Sequence, residues 1–511
     1  TLHNKLARPV IDGHAYAENL TLVLPRSTFG VSDPTLVRIP WDSVSSTVSY
    51  DSNRLAFRDS TLRRGNMLLN LSLFAQLQND RLLDDSTIQL HAELQHARAS
   101  DVLATIGEQY PVDGEVAFVA NLAGSPKDLR GSGHATLRDA TAWGESVQSV
   151  TADFDIGSGQ AYFPRFELHA AHGVATGALG YNMLAESLTF RVNGAGFRLE
   201  QVRALEGNPK LQLSGEAKFE LAGIINSAEP VLNGNVQLSS LALNGKPLGG
   251  FDATAVTKGA EMRLTGRSNS SVAQVSADAT LLMRGELPIR STLKLTSSDL
   301  NPAIAALIPL RVTGPTRVEA EARVSGPLRN PRGLFADISF NKFESNLQGI
   351  ALSNDGPLNF QVSDQRLRVE SCRLAGEGSR FFDVRGNAEL AGTQRLSFRA
   401  NGDLNLKLLQ VIDPDILSAG AASFSVNVGG VIANPVLQGK LRVTNGSVSY
   451  ADVPNGLSEI NGTMVFNRDR LEVEDLVAKT GGGEVRLGGF LTYLRPQGIY
   501  ANLTATGHDI R

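Results

Sequence analysis

The sequence predicts an all-β fold: a long trough of stacked, mostly antiparallel strands with an apolar interior and one short helix per repeat of roughly 100 residues. Three observations carry this expectation. Apolar residues alternate with polar ones over much of the chain, glycines recur at a nearly fixed spacing, and the apolar content is aliphatic rather than aromatic. Among 511 residues, 42% are hydrophobic and 6% aromatic, with 50 glycines beside 2 Trp and 5 Met. Many short strands separated by glycine turns suit that composition.

The repeat is read first. The segments "VDGEVAFVANLAG", "LSGEAKFELAG", "VTGPTRVEAEARVSG" and "SAGAASFSVNVGG" share a glycine, an alternating apolar run and a second glycine. Their leading glycines, Gly114, Gly215, Gly314 and Gly420, are spaced by 101, 99 and 106 residues. A second register places Gly13, Gly131, Gly234, Gly333 and Gly439 at steps of 118, 103, 99 and 106. Two landmarks with nearly one period divide the chain into repeats at 1–97, 98–197, 198–299, 300–404 and 405–511, one continuous structure without Pro-rich or Ser-rich linkers. Thr1 enters in mid-repeat and Arg511 stops where the next helix is due, so the chain is expected to be an internal fragment.

A helix-like patch precedes each leading glycine, near Asp101, Val202, Ile304 and Val411, with apolar residues three and four apart. In the third, Asn301 before Pro302 reads as a cap and first helical position. Elsewhere the reading is strand. Alternation is clean in Val116, Phe118, Ala120 and Leu122, in Val318, Ala320, Ala322 and Val324, in Leu334, Ala336, Ile338 and Phe340, and in Phe424, Val426 and Val428. Turns such as "FNRDRLEV", "VSDQRLRV" and "KTGGGEVRL" fit hairpins or tight corners. At about 12 residues per strand and turn, roughly 40 strands are expected. Stacked at about 4.8 Å, they would run roughly 190 Å.

A one-sided sheet must hide its apolar face against a second sheet, helices, a lipid or itself. One short helix per repeat is too little cover, which leaves a sheet curled lengthwise into a trough. The candidate lining is Phe118, Leu122, Phe154, Ile156, Phe219, Leu264, Ile338, Phe340, Phe360, Phe424, Val426, Phe466, Val485 and Leu487. Where both faces are apolar the inward one stays open, because a slip of one residue inverts it.

Other chemistry finds little support. Basic and acidic residues number 48 and 52 and are evenly spread, so no basic stripe faces a nucleic acid. His169 and His172 in "HAAH" fall on opposite faces of a strand, which argues against a metal site. Gly131 to Gly133 and Gly481 to Gly483 lack the Lys-Ser/Thr ending of a phosphate loop and read as corners. "NGS" at Asn445 and "NGT" at Asn461 read as turns. Glu472 and Glu474 flank Val473 on a solvent face, and Cys372 has no nearby His to activate it. No catalytic, cofactor or metal residue is expected.

The block "PNGLSEINGTMVFNRDRLEVEDLVAKTGGGEVRLGGFLTY", from Pro454 to Tyr493, resembles the repeat of the TamB family of the AsmA-like superfamily, whose members are repeating β-groove lipid transfer proteins. "WDSVSSTVSYDSNRLAFRDSTLRRGNMLLNLSLFAQL" from Trp41 and "LSNDGPLNFQVSDQRLRVESCRLAGEGSRFFDVRGNAEL" from Leu352 echo its order of turns and strands. The resemblance implies an elongated β-taco that carries phospholipid across the periplasm between inner and outer membranes, supporting outer-membrane biogenesis. It also implies an inner-membrane helix before this segment and, after it, a C-terminal domain that meets an Omp85-type barrel. An alternative within the resemblance is a chaperone-like β-solenoid that assists outer-membrane protein assembly without moving lipid. Outside it stand a closed adhesin stalk and a polysaccharide-acting β-helix enzyme, the latter disfavoured by the low aromatic content.

Overall fold

The strands are long, and that length decides how the sheet bends. The computed structural model describes residues 2–3, 10–25, 36–105, 109–126, 128–170, 172–202, 212–226, 230–270, 273–301, 314–347, 350–376, 379–412, 415–450, 456–492 and 500–508. Nearly all are extended, and every pairing recorded between strands is antiparallel.

The chain divides into two units, residues Thr1–Ser239 with Thr254–Ala260, and residues Ser240–Ala253 with Glu261–Arg511. In the first, the order is β1 (Leu2–His3), β2 (Val10–Pro25), β3 (Leu36–Asp51), β4 (Arg54–Arg64), β5 (Met67–Gln76), β6 (Ile88–Arg98) and α1 (Ala99–Thr105). Then come β7 (Val112–Ser125), β8 (Asp128–Ala142), β9 (Glu145–Gly157), β10 (Gln160–Ala170), β11 (Gly173–Asn182), β12 (Ser187–Arg198) and β13 (Leu213–Ile225). β14 (Val231–Leu243) and β15 (Lys246–Lys258) are shared between the units.

The second unit holds β16 (Glu261–Ser268), β17 (Ala273–Leu282), β18 (Pro288–Ser297), β19 (Arg317–Pro327), β20 (Phe335–Leu347), β21 (Ile350–Asn354), β22 (Leu358–Ser363) and β23 (Arg366–Gly376). It continues with β24 (Ser379–Glu389), β25 (Leu396–Asn405), α2 (Leu409–Ile412), β26 (Ile416–Val431) and β27 (Asn434–Tyr450). β28 (Leu457–Arg468), β29 (Arg470–Thr480), β30 (Gly483–Thr492) and β31 (Tyr500–His508) close it.

The 31 described strands are fewer than the roughly 40 expected, because strands up to 17 residues long turn corners internally. They do so at β-bulges, for example between Phe57 and Ser60, Leu94 and Ala97, and Tyr162 and Arg165. An extra residue bends the strand without ending it. The connections are tight: Asp364–Gln365 and Gly481–Gly482 both have positive φ, as the I′ hairpin turns of "VSDQRLRV" and "KTGGGEVRL" require.

Two expected corners lie elsewhere. Gly131 and Gly133 fall inside β8, and Asn445 and Asn461 fall inside β27 and β28, where Asn445 (φ 46°) sits at a bulge rather than in a turn. Of the four helical patches, the first is α1 and the fourth is a 3-10 turn, Leu406–Leu408, running into α2. The Asn405 side chain caps it, accepting from Lys407 N at 2.9 Å. The second begins as the 3-10 turn Leu199–Gln201, which ends at an extended Val202 (φ −87°, ψ 107°), and the rest of that patch, from residue 203 on, lies outside the described residues. The third, including Pro302 and Ile304, lies outside the described residues. The Asn301 side chain accepts the Thr316 hydroxyl at 2.5 Å.

Candidate functional site: an apolar face in each unit

In an antiparallel ladder, residues directly opposite one another point to the same side. Following partners from strand to strand therefore traces rungs across the sheet. In the first unit one rung runs Ala17, Val44, Leu62, Leu69, Leu94 and Phe118, one residue from each of β2 to β7. It continues through Ala135, Ala152, Phe166, Gly177, Val192 and Leu221, one from each of β8 to β13. None of the twelve can donate or accept a hydrogen bond through its side chain.

Three residues along from that rung, four across the β10 bulge, and on the opposite face, a rung reads Ser72, His91, Asn121, Ser132, Asp155 and Tyr162. Its groups bond each other: His91 meets Asn121 at 2.7 Å, and in the adjacent rung His134 meets Asp153 at 2.8 Å. Such exposed pairs are worth about 0–1 kcal/mol, so they keep this face wet more than they hold the fold.

The second unit repeats the arrangement. One rung runs Gly266, Ala277, Leu293, Ala322, Ile338 and Phe360, then Val369, Gly386, Phe398, Val428 and Leu437. Another is Leu374, Phe382, Gly402, Phe424, Leu441, Met464, Val473, Gly489 and Leu503.

All fourteen candidate residues lie on these apolar faces. In the first unit, Phe118 is in the long rung, Leu122 and Ile156 flank Gly131, Phe154 is opposite Gly133, and Phe219 is opposite Gly194. In the second, Leu264 faces Ala279, Phe340 faces Ala320, and Ile338, Phe360 and Phe424 are in the rungs above. Val426 and Phe466 face Gly439, Val485 faces Ala478, and Leu487 faces Leu476. Aromatic contacts knit neighbours together: Phe197–Phe219 at 5.3 Å, Phe340–Phe360 at 5.7 Å and Phe382–Phe424 at 5.8 Å between centroids. Each is worth about 0.5–1.5 kcal/mol beyond area burial.

Equally central residues outside the candidate set also carried a signal. Leu69 and Leu73 belong to "MLLNLSLFAQ", where Met67, Leu69, Leu71, Leu73 and Ala75 share one face and Asn70, Ser72 and Gln76 lie on the other, an alternation blurred by Leu68 and Phe74. For Leu90 and Leu94 the signal was the alternation of "IQLHAEL" in β6.

The face is not filled. Among the described residues, the largest side chains under 2% exposed are Val318 and Thr316. Apolar residues on the face, Leu293 at 39% and Ile225 at 54% among them, meet solvent.

Sites of other kinds do not assemble. Among the described residues, no three His, Cys, Asp or Glu stand where a metal would bind. His169 pairs with Glu167 at 2.6 Å, and Glu472 accepts from Asn467 at 3.1 Å. Cys372 is half-buried on the apolar face opposite Val384, and burial, with Asp383, raises its thiol pKa, the reverse of what a nucleophile needs. Compared with known families and curated proteins, the chain matches no family model and no curated sequence.

Proposed function

We propose that the apolar face is a path for lipid hydrocarbon and that the protein conducts phospholipid between two membranes. The observation that carries this is the apolar face that the twelve-strand rung from Ala17 to Leu221 traces through the first unit, beside which a parallel, half-exposed rung of Phe57, Leu73, Leu90, Leu122, Gly131 and Ile156 likewise offers no side-chain hydrogen bond to an occupant. A peptide or sugar laid along it would lose its bonds to water without replacement, at about 1–3 kcal/mol per group. An acyl chain loses none and gains about 0.8 kcal/mol per methylene buried. Repetition of similar positions gives similar affinity at each step, so a chain can slide without falling into a deep trap. The polar headgroup stays at the wet edge, and no bond is made or broken.

The resemblance of the block from Pro454 to Tyr493 to TamB repeats supports a periplasmic setting for this path, with an inner-membrane anchor on one side and an Omp85-type barrel as partner on the other. A closed stalk would fill its interior, which the exposure of Leu293 and Ile225 argues against. Lipid extracted from the purified chain and resolved by thin-layer chromatography or native mass spectrometry tests the proposal. Phospholipid bound in stoichiometric amounts is expected; its consistent absence overturns the reading.

A further inference from the structure

Connections in each unit alternate between two edges of the sheet. In the first unit α1 and the Leu199–Gln201 turn lie on one edge, the helix edge, while the Ser158–Gly159 and Met183–Glu186 turns lie on the other, the hairpin edge. The apolar face differs between them.

Toward the helix edge it is dry. Ile39, Trp41, Leu62, Met67, Leu94 and Ala97 form a buried cluster, and Val102 of α1 packs against it. α1 reaches β3 as well as its own neighbours β6 and β7, so it lies over the face rather than beside it. The second unit does the same: Leu406, in the 3-10 turn before α2, packs on the cluster of Ala422, Val443, Ile460, Leu476 and Ala478. Toward the hairpin edge of the first unit another rung runs Phe57, Leu73, Leu90, Leu122, Gly131 and Ile156, with no helix over it among the described residues. Every side chain in it is half-exposed.

The geometry points to a divided face: the helical turns hem one side shut as the folding core, and hydrocarbon travels only in the lane along the hairpin edge. This rests on the reading of the face as a lipid path, and it adds where on that face the acyl chain runs. Headgroups then project past the hairpin edge, because the helix edge is blocked. Trp41 and the lane position on its own strand, Val48, are seven residues apart, about 23 Å of strand, which makes the two regions separable by experiment.

The two tryptophans allow a direct test. Trp41 is 5% exposed and Trp143 70%. In Trp143→Phe, Trp41 alone reports the hemmed side; in Trp41→Phe with Trp143→Phe and Leu90→Trp, the lane reports. Each full chain is mixed with phosphatidylcholine vesicles whose acyl chains are brominated, and quenching is read against unbrominated vesicles. At least fivefold stronger quenching in the Leu90→Trp protein is expected. Equal quenching, or quenching of Trp41 alone, overturns the divided face and leaves the lipid path standing. Quenching of neither overturns the lipid path itself. If Trp41→Phe prevents folding, a photo-crosslinking benzoylphenylalanine at position 90 or at position 67, where Met67 is 5% exposed in the buried cluster, of the otherwise unaltered chain reads the same contrast, with labelled phospholipid captured at 90 and not at 67.

Discussion

Phe154 lies across Gly133 on the neighbouring strand: a Cβ at Gly133 would stand 2.3 Å from the ring's Cζ and 2.3 Å from the Val119 carbonyl oxygen. Phe219 covers Gly194 in the same way, at 2.3 Å. The missing side chain lets a ring lie flat on the sheet, so the face stays shallow while its largest residues still pack. Gly133→Ala is expected to destabilise the first unit by about 1–3 kcal/mol, the usual cost of overpacking. Denaturant midpoints check it. Adding Phe154→Leu is expected to recover part of the loss, and strict additivity of the two changes would show that the ring is not what the new methyl meets.

Asp113 carries the clearest electrostatic signature. The Arg98 guanidinium, then the Gly114 N–H and the Ser100 hydroxyl, hold its carboxyl at about 2, below its ordinary 3.8. A depressed folded-state value means a contribution that is whole above about pH 4 and fades as pH falls toward 2. The carboxylate stands open to water, so the effect is small. Urea midpoints between pH 6 and pH 2 are expected to fall less steeply in Asp113→Asn than in the parent protein. Identical slopes would show that the pair with Arg98 does not outlast solvent screening.

Alternation within a strand needs only that strand, which is why it was legible from the sequence that Phe118, Leu122, Ile338 and Phe424 lie on the apolar side of their strands. The rungs were not. Which residue of β6 stands opposite Phe118 depends on pairing with another strand, and the bulge between Leu94 and Ala97 resets that pairing. A bulge is one residue with a changed backbone, such as His96 at φ 51°, and nothing in its side chain announces it. The strand count failed for the same reason. The dry side of the face was hidden because it depends on α1 reaching β3, a contact between distant parts of the chain.

Cys372 gives a probe already in place. Burial, and secondarily Asp383, shifts its thiol toward the neutral form. Alkylation by iodoacetamide at pH 8 is expected to be at least tenfold slower than in urea-unfolded protein, as judged by mass spectrometry. Loading with phospholipid is expected to slow it further. Equal rates with and without lipid would mean that hydrocarbon does not pass β23.

A charge on the apolar face should separate transport from folding. Phe340 and Phe424 point inward and are only half-buried, so replacing both with Asp is expected to cost about 1–3 kcal/mol each rather than to unfold the chain. Against hydrocarbon the same carboxylates are far more costly, because an ionised group there has no partner. Phe340→Asp with Phe424→Asp is therefore expected to retain the circular dichroism of the parent and to lose bound phospholipid more than tenfold, measured as phosphorus per chain. The outward neighbours Ser339 and Ser425 supply the control, since Ser339→Asp with Ser425→Asp adds the same charge to the same strands on the wet face. Equal phosphorus in all three proteins would rule out a lipid path along this face. Loss in the inward pair alone ties binding to the side chains that point in, not to the charge added.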